Sequence, residues 1–167
     1  MNEALSRRLR QTQFADSRQE ALLALLVAAS TLNTIVDAVC DAHGITRSQY
    51  NVLRILRGVH PQGHPRREIA ERMIDRAPDI TRLVDRLQAQ GLVKRSWGKD
   101  DQRQSIAVIT AKGLKLLARM QPKLEAQTAS CLADFSDGDL AELSRLCGLV
   151  LESAESHASS RRAHPAT

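Results

Sequence analysis

Residues 92–110, LVKRSWGKDDQRQSIAVIT, decide the fold of this chain. Two short β-branched stretches flank a tip dense in Gly, Lys, Asp, Gln and Arg, which is the pattern of a β-hairpin. Just ahead of it, residues 78–90 place Ile80, Leu83, Val84 and Leu87 on one face of a helix. Pro78 suits the first turn because it has no N–H to leave unpaired, and Gly91 stops the helix. The opposite face carries Asp79, Thr81, Arg82, Asp85 and Arg86. The hairpin is expected to be anchored by Leu92, Ile106 and Val108 and to turn at residues 98–100. A hairpin tip bearing Arg has the size and charge to enter a DNA minor groove, where negative potential is concentrated.

Upstream, Thr46 and Gln49 form a capping box for a helix that buries Tyr50, Leu53, Ile55 and Leu56 and ends before a turn at Pro61 and Gly63. Pro65 opens a shorter helix with Ile69, Ala70 and Met73 inward and Arg66, Arg67 and Arg72 outward. Two short helices joined by a tight turn, the second cationic at its exposed N-terminal half, make a helix-turn-helix. In that arrangement Arg82 and Arg86 reach guanine edges or flanking phosphates, and Thr81 a phosphate or a thymine methyl. The plainer alternative is an ion-pair face in which Asp79 and Asp85 neutralise these arginines. The hairpin weighs against it by adding a second cationic element at Lys99 and Arg103. Asp101 can hold the Arg103 guanidinium extended through a bidentate pair, and an arginine ordered in advance loses less entropy on entering a groove. The alternative for the hairpin is a polar tip whose Asp and Arg merely satisfy each other, worth under about 1 kcal/mol.

Helices flank this unit on both sides. From Ser17 to Ala42, an apolar stripe of Leu22, Leu25, Leu26, Ala29, Leu32, Val36 and Val39 marks a long helix ending near Gly44. The polar residues before it form a frayed arm or a helical extension. After Thr110, a capping residue, Leu114, Leu117, Leu124, Cys131 and Leu132 mark another helix, kinked or broken at Pro122. Ser136 and Asp139 cap a last helix bearing Leu140, Leu143, Leu146, Val150 and Leu151. From about Ser156 the Ser, His and Arg composition predicts disorder.

The fold class is therefore mainly α with a small β-hairpin, a winged helix-turn-helix with N- and C-terminal dimerisation helices. The segments are an arm and long dimerisation helix (1–44), a DNA-binding lobe (45–110), C-terminal dimerisation helices (111–156) and a disordered tail (157–167). The terminal helices carry more apolar face than the central unit can cover, and a second copy would bury it, which predicts a symmetric homodimer.

Composition sets the outer limits. At 167 residues, the chain holds one well-packed domain or a small unit with helical extensions, and aromatic residues are only 2%, so Leu, Ala, Val and Ile must build the core. No apolar run reaches the 18 or so residues of a membrane span, and no signal peptide is apparent, so a cytoplasmic protein without membrane contact is expected. Cys40, Cys131 and Cys147 lie far apart, which disfavours a disulfide framework or zinc ribbon. The net charge is +5, and residues 45–103 hold thirteen Lys and Arg against seven Asp and Glu, so the whole excess lies in the central unit. That balance favours a polyanionic partner, although a solvated basic surface would look the same. The chain lacks a Gly-rich phosphate loop, HExxH, GxSxG and a paired acidic motif, so it does not read as an enzyme and implies no cofactor.

The hairpin residues Asp101-Gln102-Arg103, five further residues, then Ile109-Thr110 resemble the D-x-R-x5-(L/I)-T wing signature of the MarR (multiple antibiotic resistance regulator) family. DITRLVDRLQAQGLVKR at 79–95, ITRSQYNVLRIL at 45–56 and REIAERM at 67–73 resemble its recognition helix with first wing strand and its two preceding helices. The likeness covers roughly residues 20 to 150 in the family's order. It implies a homodimeric winged-helix transcription factor whose terminal helices form the dimer interface. It also implies that Thr81, Arg82 and Arg86 face the major groove of double-stranded DNA and that Arg103 enters the minor groove. Pseudo-palindromic half-sites about one helical turn apart follow from the two-fold symmetry. Where many relatives have Ser or another small polar residue before the recognition helix, this chain has Arg76-Ala77-Pro78, which leaves Arg76 to reach a phosphate. Arg66 and Lys99 complete the expected DNA contacts.

The resemblance further implies a repressor released by a small aromatic or anionic ligand bound between the dimer helices and the DNA-binding lobe. His43, Tyr50, Arg54 and Met120 are candidates to line that crevice, although Tyr50 and Met120 also read as core, His43 as a helix-end polar group and Arg54 as a solvated charge. A thiol-based redox sensor built on Cys40 is an alternative, as is metal binding by Cys40 with His43, for which two further ligands are missing. A winged-helix protein-interaction module without DNA binding is a third, but such a module would show an exposed apolar or aromatic recognition face.

Overall fold

The computed structural model describes residues 2–75, 79–97 and 105–163. In chain order the elements are α1 (Glu3–Leu9), α2 (Ser17–Asp41), α3 (Arg47–Gly58), β1 (His64–Pro65), α4 (Arg66–Arg72), α5 (Ile80–Ala89), β2 (Val93–Trp97), β3 (Ser105–Ile109), α6 (Ala111–Cys131) and α7 (Asp137–Ala163). The chain divides into two units, Met1–Thr128 and Ala129–Thr167.

The first unit is built around α3, which packs against α2, α4, α5 and β3. Both arms of the expected capping box are present: the Gln49 N–H donates to the Thr46 hydroxyl at 3.2 Å, and the Thr46 N–H donates to the Gln49 side chain at 2.9 Å. With neighbours on several sides, α3 buries a wider face than expected. Val52, Leu53 and Leu56 are fully buried, whereas Tyr50 and Ile55 are only half-buried. The core continues through Val39, Cys40, Ile69, Val84, Leu87 and Met120, so it lies beneath the helix-turn-helix and the base of the hairpin.

The sheet has three strands in the order β1-β3-β2, antiparallel throughout, with Val93 opposite Ile109 and His64 opposite Ala107. Strand β3 is therefore central, which buries Ala107, Val108 and Ile109 and corrects the expected anchor set, since Ile106 is half-buried. Strand β1 was not expected, because two residues, one of them Pro, carry no strand signal; Pro is tolerated there at the sheet edge. Gly63, at φ +76°, makes this pairing possible, since a Cβ there would lie 2.2 Å from the Ala107 carbonyl oxygen.

The hairpin is fixed to α5 by the turn at Gly91, at φ +70°. The Leu92 N–H bonds the Leu87 carbonyl and the Gly91 N–H the Gln88 carbonyl, both at 2.9 Å, which is a Schellman cap. Thr110 then ties α6 to the same point, accepting the Gly113 N–H at 3.1 Å and donating to the Gly91 carbonyl at 2.8 Å.

Residues before α2 form a short helix rather than a frayed arm: Asn2 caps α1 and Leu5 is buried. Pro122 does not break α6, which runs unbroken to Cys131, because the loss of one N–H is outweighed by the regular turns on either side. By length and composition α2 is long and apolar enough to cross a membrane, contrary to expectation. Ser30, Thr31, Asn33 and Thr34 interrupt its apolar run but not its mean hydropathy, and no charge lies between Glu20 and Asp37. Its leucines Leu22, Leu26 and Leu32 are exposed.

In the second unit, Ser136 and Asp139 cap α7 reciprocally, with the Asp139 N–H on the Ser136 hydroxyl at 3.2 Å and the Ser136 N–H on the Asp139 carboxylate at 2.9 Å. Helix α7 continues to Ala163, so the tail expected to be disordered from Ser156 is helical that far. From Ser156 the Ala, Ser and Arg residues are compatible with a helix, and no Gly or Pro occurs between Ser156 and Pro165. Leu140, Leu143, Leu146, Leu149 and Leu151 are all exposed.

Candidate nucleic-acid interface

Helix α5 begins at Ile80, with Asp79 as its N-cap. The expected start at Pro78 is displaced because a carboxylate at the cap satisfies a free helical N–H and meets the positive end of the helix dipole. One Asp79 oxygen accepts the Arg82 N–H at 3.0 Å and the other pairs with Arg82 Nε at 3.0 Å. Val84 and Leu87 are buried and Leu83 half-buried, while Thr81, Arg82 and Arg86 are exposed on the opposite face. Arg82 remains 80% exposed despite its pair, and such surface pairs are worth under about 1 kcal/mol, so it stays available to an outside anion. Among the described residues, Arg86 has no ion pair.

Asp85 does not pair with either of these arginines. It takes Arg66 of α4 at 2.8 Å, and Arg66 is half-buried instead of fully outward. The pair bolts the two helices of the helix-turn-helix together and removes one carboxylate from the α5 arginines. The neutralised face is therefore present only at Asp79 and Arg82.

On the hairpin, Lys94, Arg95 and Trp97 of β2 are exposed. Arg76, Lys99, Asp101 and Arg103, with the rest of the tip at 98–104, lie outside the described residues, as do Ala77 and Pro78.

Of the four candidate ligand residues, the fold brings two together. Tyr50 and Arg54 of α3 line a cavity of about 170 Å³ with Asn33 and Val36 of α2 and with Met73, Ile74 and Asp75 after α4. Arg47, Ser48 and Asn51 complete the wall. Asn51 is buried, and its Oδ1, out of reach of water, has no hydrogen-bond partner among the described residues. Arg47 bridges two carboxylates, with Nε 3.1 Å from Asp37 and Nη1 2.6 Å from Asp75. Sequence reasoning missed Arg47 and Asn51, because neither a bridge between distant carboxylates nor an unpaired buried amide leaves a local pattern.

His43 and Met120 do not join this cavity. The His43 Nδ1 lies 2.8 Å from the Val39 carbonyl, and the ring borders a different depression beside Lys112 and Arg119. Met120 is fully buried in the core, where its flexible thioether fills space.

Cys40 is also fully buried, and burial, followed by the nearby charges of Asp37 and Asp41, pushes its thiol up to about 11, against a smaller opposing effect of Arg47. Such a thiol stays protonated at neutral pH, which argues against Cys40 as a reactive sensor. Among the described residues no group of three or more His, Cys, Asp and Glu is placed to hold a metal ion.

Residues 45–105 match the family model of the MarR family. The uncharacterized HTH-type transcriptional regulator YwoH of Bacillus subtilis (strain 168) is 32% identical over 112 residues, which make up 67% of this chain and 80% of that protein. Among solved structures, a MarR transcription factor from Planctomyces limnophilus is 36% identical and superposes with a TM-score of 0.62, covering 82% of this chain and 99% of its own. Sco3205, a MarR family transcriptional regulator from Streptomyces coelicolor solved in complex with DNA, is 20% identical with a TM-score of 0.73, covering 86% of this chain and 91% of its own.

Proposed function

The chain belongs to the MarR family, and from that membership we propose that it is a homodimeric, sequence-specific DNA-binding transcriptional regulator, a repressor released by a small aromatic or anionic ligand. The observation that carries this reading is α5: an apolar inner face seated on the core, an outer face offering Thr81, Arg82 and Arg86, and a basic hairpin immediately after it. Sco3205, of the same fold, was solved on DNA. A helix with this polarity fits the major groove, and a wing carrying Arg103 fits the adjacent minor groove. Asp101 orients Arg103, while Lys99 and Arg76 take phosphates; Arg66, expected to join them, is instead held by Asp85 and keeps α4 on α5.

The lobe at 45–110 binds DNA, and the helices at 1–44 and 111–156 dimerise, covering the exposed leucines of α2 and α7. That use of α2 accounts for its apolar surface without a membrane and fits a cytoplasmic protein with no catalytic activity of its own. The ligand sits in the cavity walled by Tyr50, Arg54 and Asn51, where an anion meets the cationic side chains of Arg47 and Arg54.

A gel-shift titration with the DNA upstream of its own gene tests this reading, repeated with a panel of aromatic acids. Salt-dependent retardation that an acid reverses is the expected result. Binding that is absent at low salt, or identical for any DNA sequence, would overturn it.

A further inference from the structure

We propose that Arg47 is a positioning residue for DNA recognition: by bridging Asp37 of α2 and Asp75 it ties the segment just ahead of the recognition helix to the long N-terminal helix. Asp75 comes four residues before Asp79, the cap of α5, so a tether on Asp75 limits where α5 can start. The two arms leave Arg47 through different nitrogens, Nε to Asp37 at 3.1 Å and Nη1 to Asp75 at 2.6 Å. Only a guanidinium presents two such donors in a fixed plane; a lysine ammonium is a point charge on a flexible stem. The carboxylates belong to elements far apart in sequence, and neither has another ion pair among the described residues. Arg47 therefore fixes relative placement more than it adds stability, since exposed pairs contribute little each.

The bridge also stands in the wall of the cavity, where Arg47 and Asp75 face the same space as Tyr50 and Arg54. An anion entering there competes with Asp75 for Nη1. Losing that arm frees the start of α5 while α2 keeps its hold through Asp37. This step rests on the ligand reading above; the positioning role does not. The coupling is then a local population shift at one tether, with a size set by one ion-pair arm.

Amide hydrogen exchange on the full-length protein, without DNA, reads the tether directly. The amides to follow are Leu83, which bonds the Asp79 carbonyl at 3.2 Å, and Val84. Asp75→Asn, Arg47→Gln and Arg47→Lys should each speed their exchange about threefold to fivefold, the population change expected from one exposed pair, with the urea midpoint within error of wild type. Arg47→Lys failing to restore wild-type exchange is the signature of a two-armed role. Unchanged exchange in Asp75→Asn, or equal acceleration across α3 and α6, overturns the positioning role. Sodium benzoate, used as the probe anion, should accelerate Leu83 exchange in wild type and add nothing in Asp75→Asn; no effect in wild type, or equal effects in both, overturns the competition step. Affinity for the upstream DNA in the same variants should fall by a similar factor. If wild type binds no DNA, the regulator reading fails, while the exchange data still decide the tether.

Discussion

Asp79 holds Arg82 twice, with one carboxylate oxygen on its backbone N–H and the other on its Nε, each at 3.0 Å. One side chain thus starts the recognition helix and aims its first arginine. The two roles separate by substitution. Asp79→Asn should keep much of the cap, whereas Asp79→Ala should lose it and destabilise the fold by about 0.5–2 kcal/mol in urea unfolding. Equal stability of the two variants would mean that the charge, and not the cap, matters.

Arg82→Ala should remove base discrimination at one position of each half-site, symmetrically, at about 1–3 kcal/mol for the preferred base. Binding to a library of operator variants measures this. A uniform loss over every sequence would reassign Arg82 to a phosphate.

Arg103→Ala should weaken binding most at A·T-flanked sites and lower the slope of log affinity against log salt by about 0.9, the yield of one phosphate-like contact. Unchanged affinity and slope would remove Arg103 from the wing's role.

How far these sites could be read from sequence depends on how local their chemistry is. The capping box at Thr46 and Gln49, the stop at Gly91 and the Ser136–Asp139 cap lie within a few residues of each other and were legible. Asp79 was legible in kind, as Asp ahead of a periodic apolar run, yet Pro78 beside it sends the competing signal of a first helical turn. Strand β1 could not be foreseen, because its pairing depends on Gly63 approaching Ala107 from 44 residues away in sequence. The Arg66–Asp85 and Arg47–Asp75 pairs are equally non-local, so Arg66 read as an outward cation and Arg47 as an ordinary surface charge. Tyr50 and Arg54, one helical turn apart, share a wall because α3 places them there; His43 and Met120 were drawn in by residue type alone.

Gly113 sits where α6 crosses the base of the hairpin. A Cβ at this position would lie 2.5 Å from the Leu92 carbonyl oxygen and 2.7 Å from Ile109 Cγ1. The backbone oxygen cannot move aside cheaply, so Gly113→Ala should destabilise by about 1–3 kcal/mol despite alanine's better helix propensity. A gain in urea midpoint would mean that α6 can shift off the hairpin at no cost.

The buried Cys40 thiol makes a pH prediction with a definite sign. Burial raises its pKa from the ordinary cysteine value of 9.0 to about 11, so between these values the unfolded chain gives up a proton that the folded chain keeps. Stability from this group is full below about pH 9 and falls as pH rises toward 11. Comparing the urea midpoints of wild type and Cys40→Ala at pH 8 and pH 10.5 isolates the effect from other titrating groups. The difference between the two proteins should shrink at the higher pH. Under native conditions at pH 7.5, Cys40 should also be the last thiol to react with iodoacetamide, and early labelling would revive a redox role.

The leucines of α7 supply the last test. Leu143 and Leu146 are exposed in the single chain, at 41% and 46%, and covering what remains exposed of each stabilises an interface by roughly 1 kcal/mol. A charge placed there costs nothing in a monomer and a great deal in a dry interface. Leu143→Glu with Leu146→Glu should therefore leave the helical content unchanged while shifting sedimentation equilibrium from dimer to monomer. Two half-sites read by one rigid dimer lose their joint affinity when the halves separate, so DNA binding should weaken by about 100-fold or more. A double variant that remains dimeric would place the interface on other surfaces. A monomer that still binds a full operator tightly would break the link between two-fold symmetry and recognition on which the half-site geometry depends.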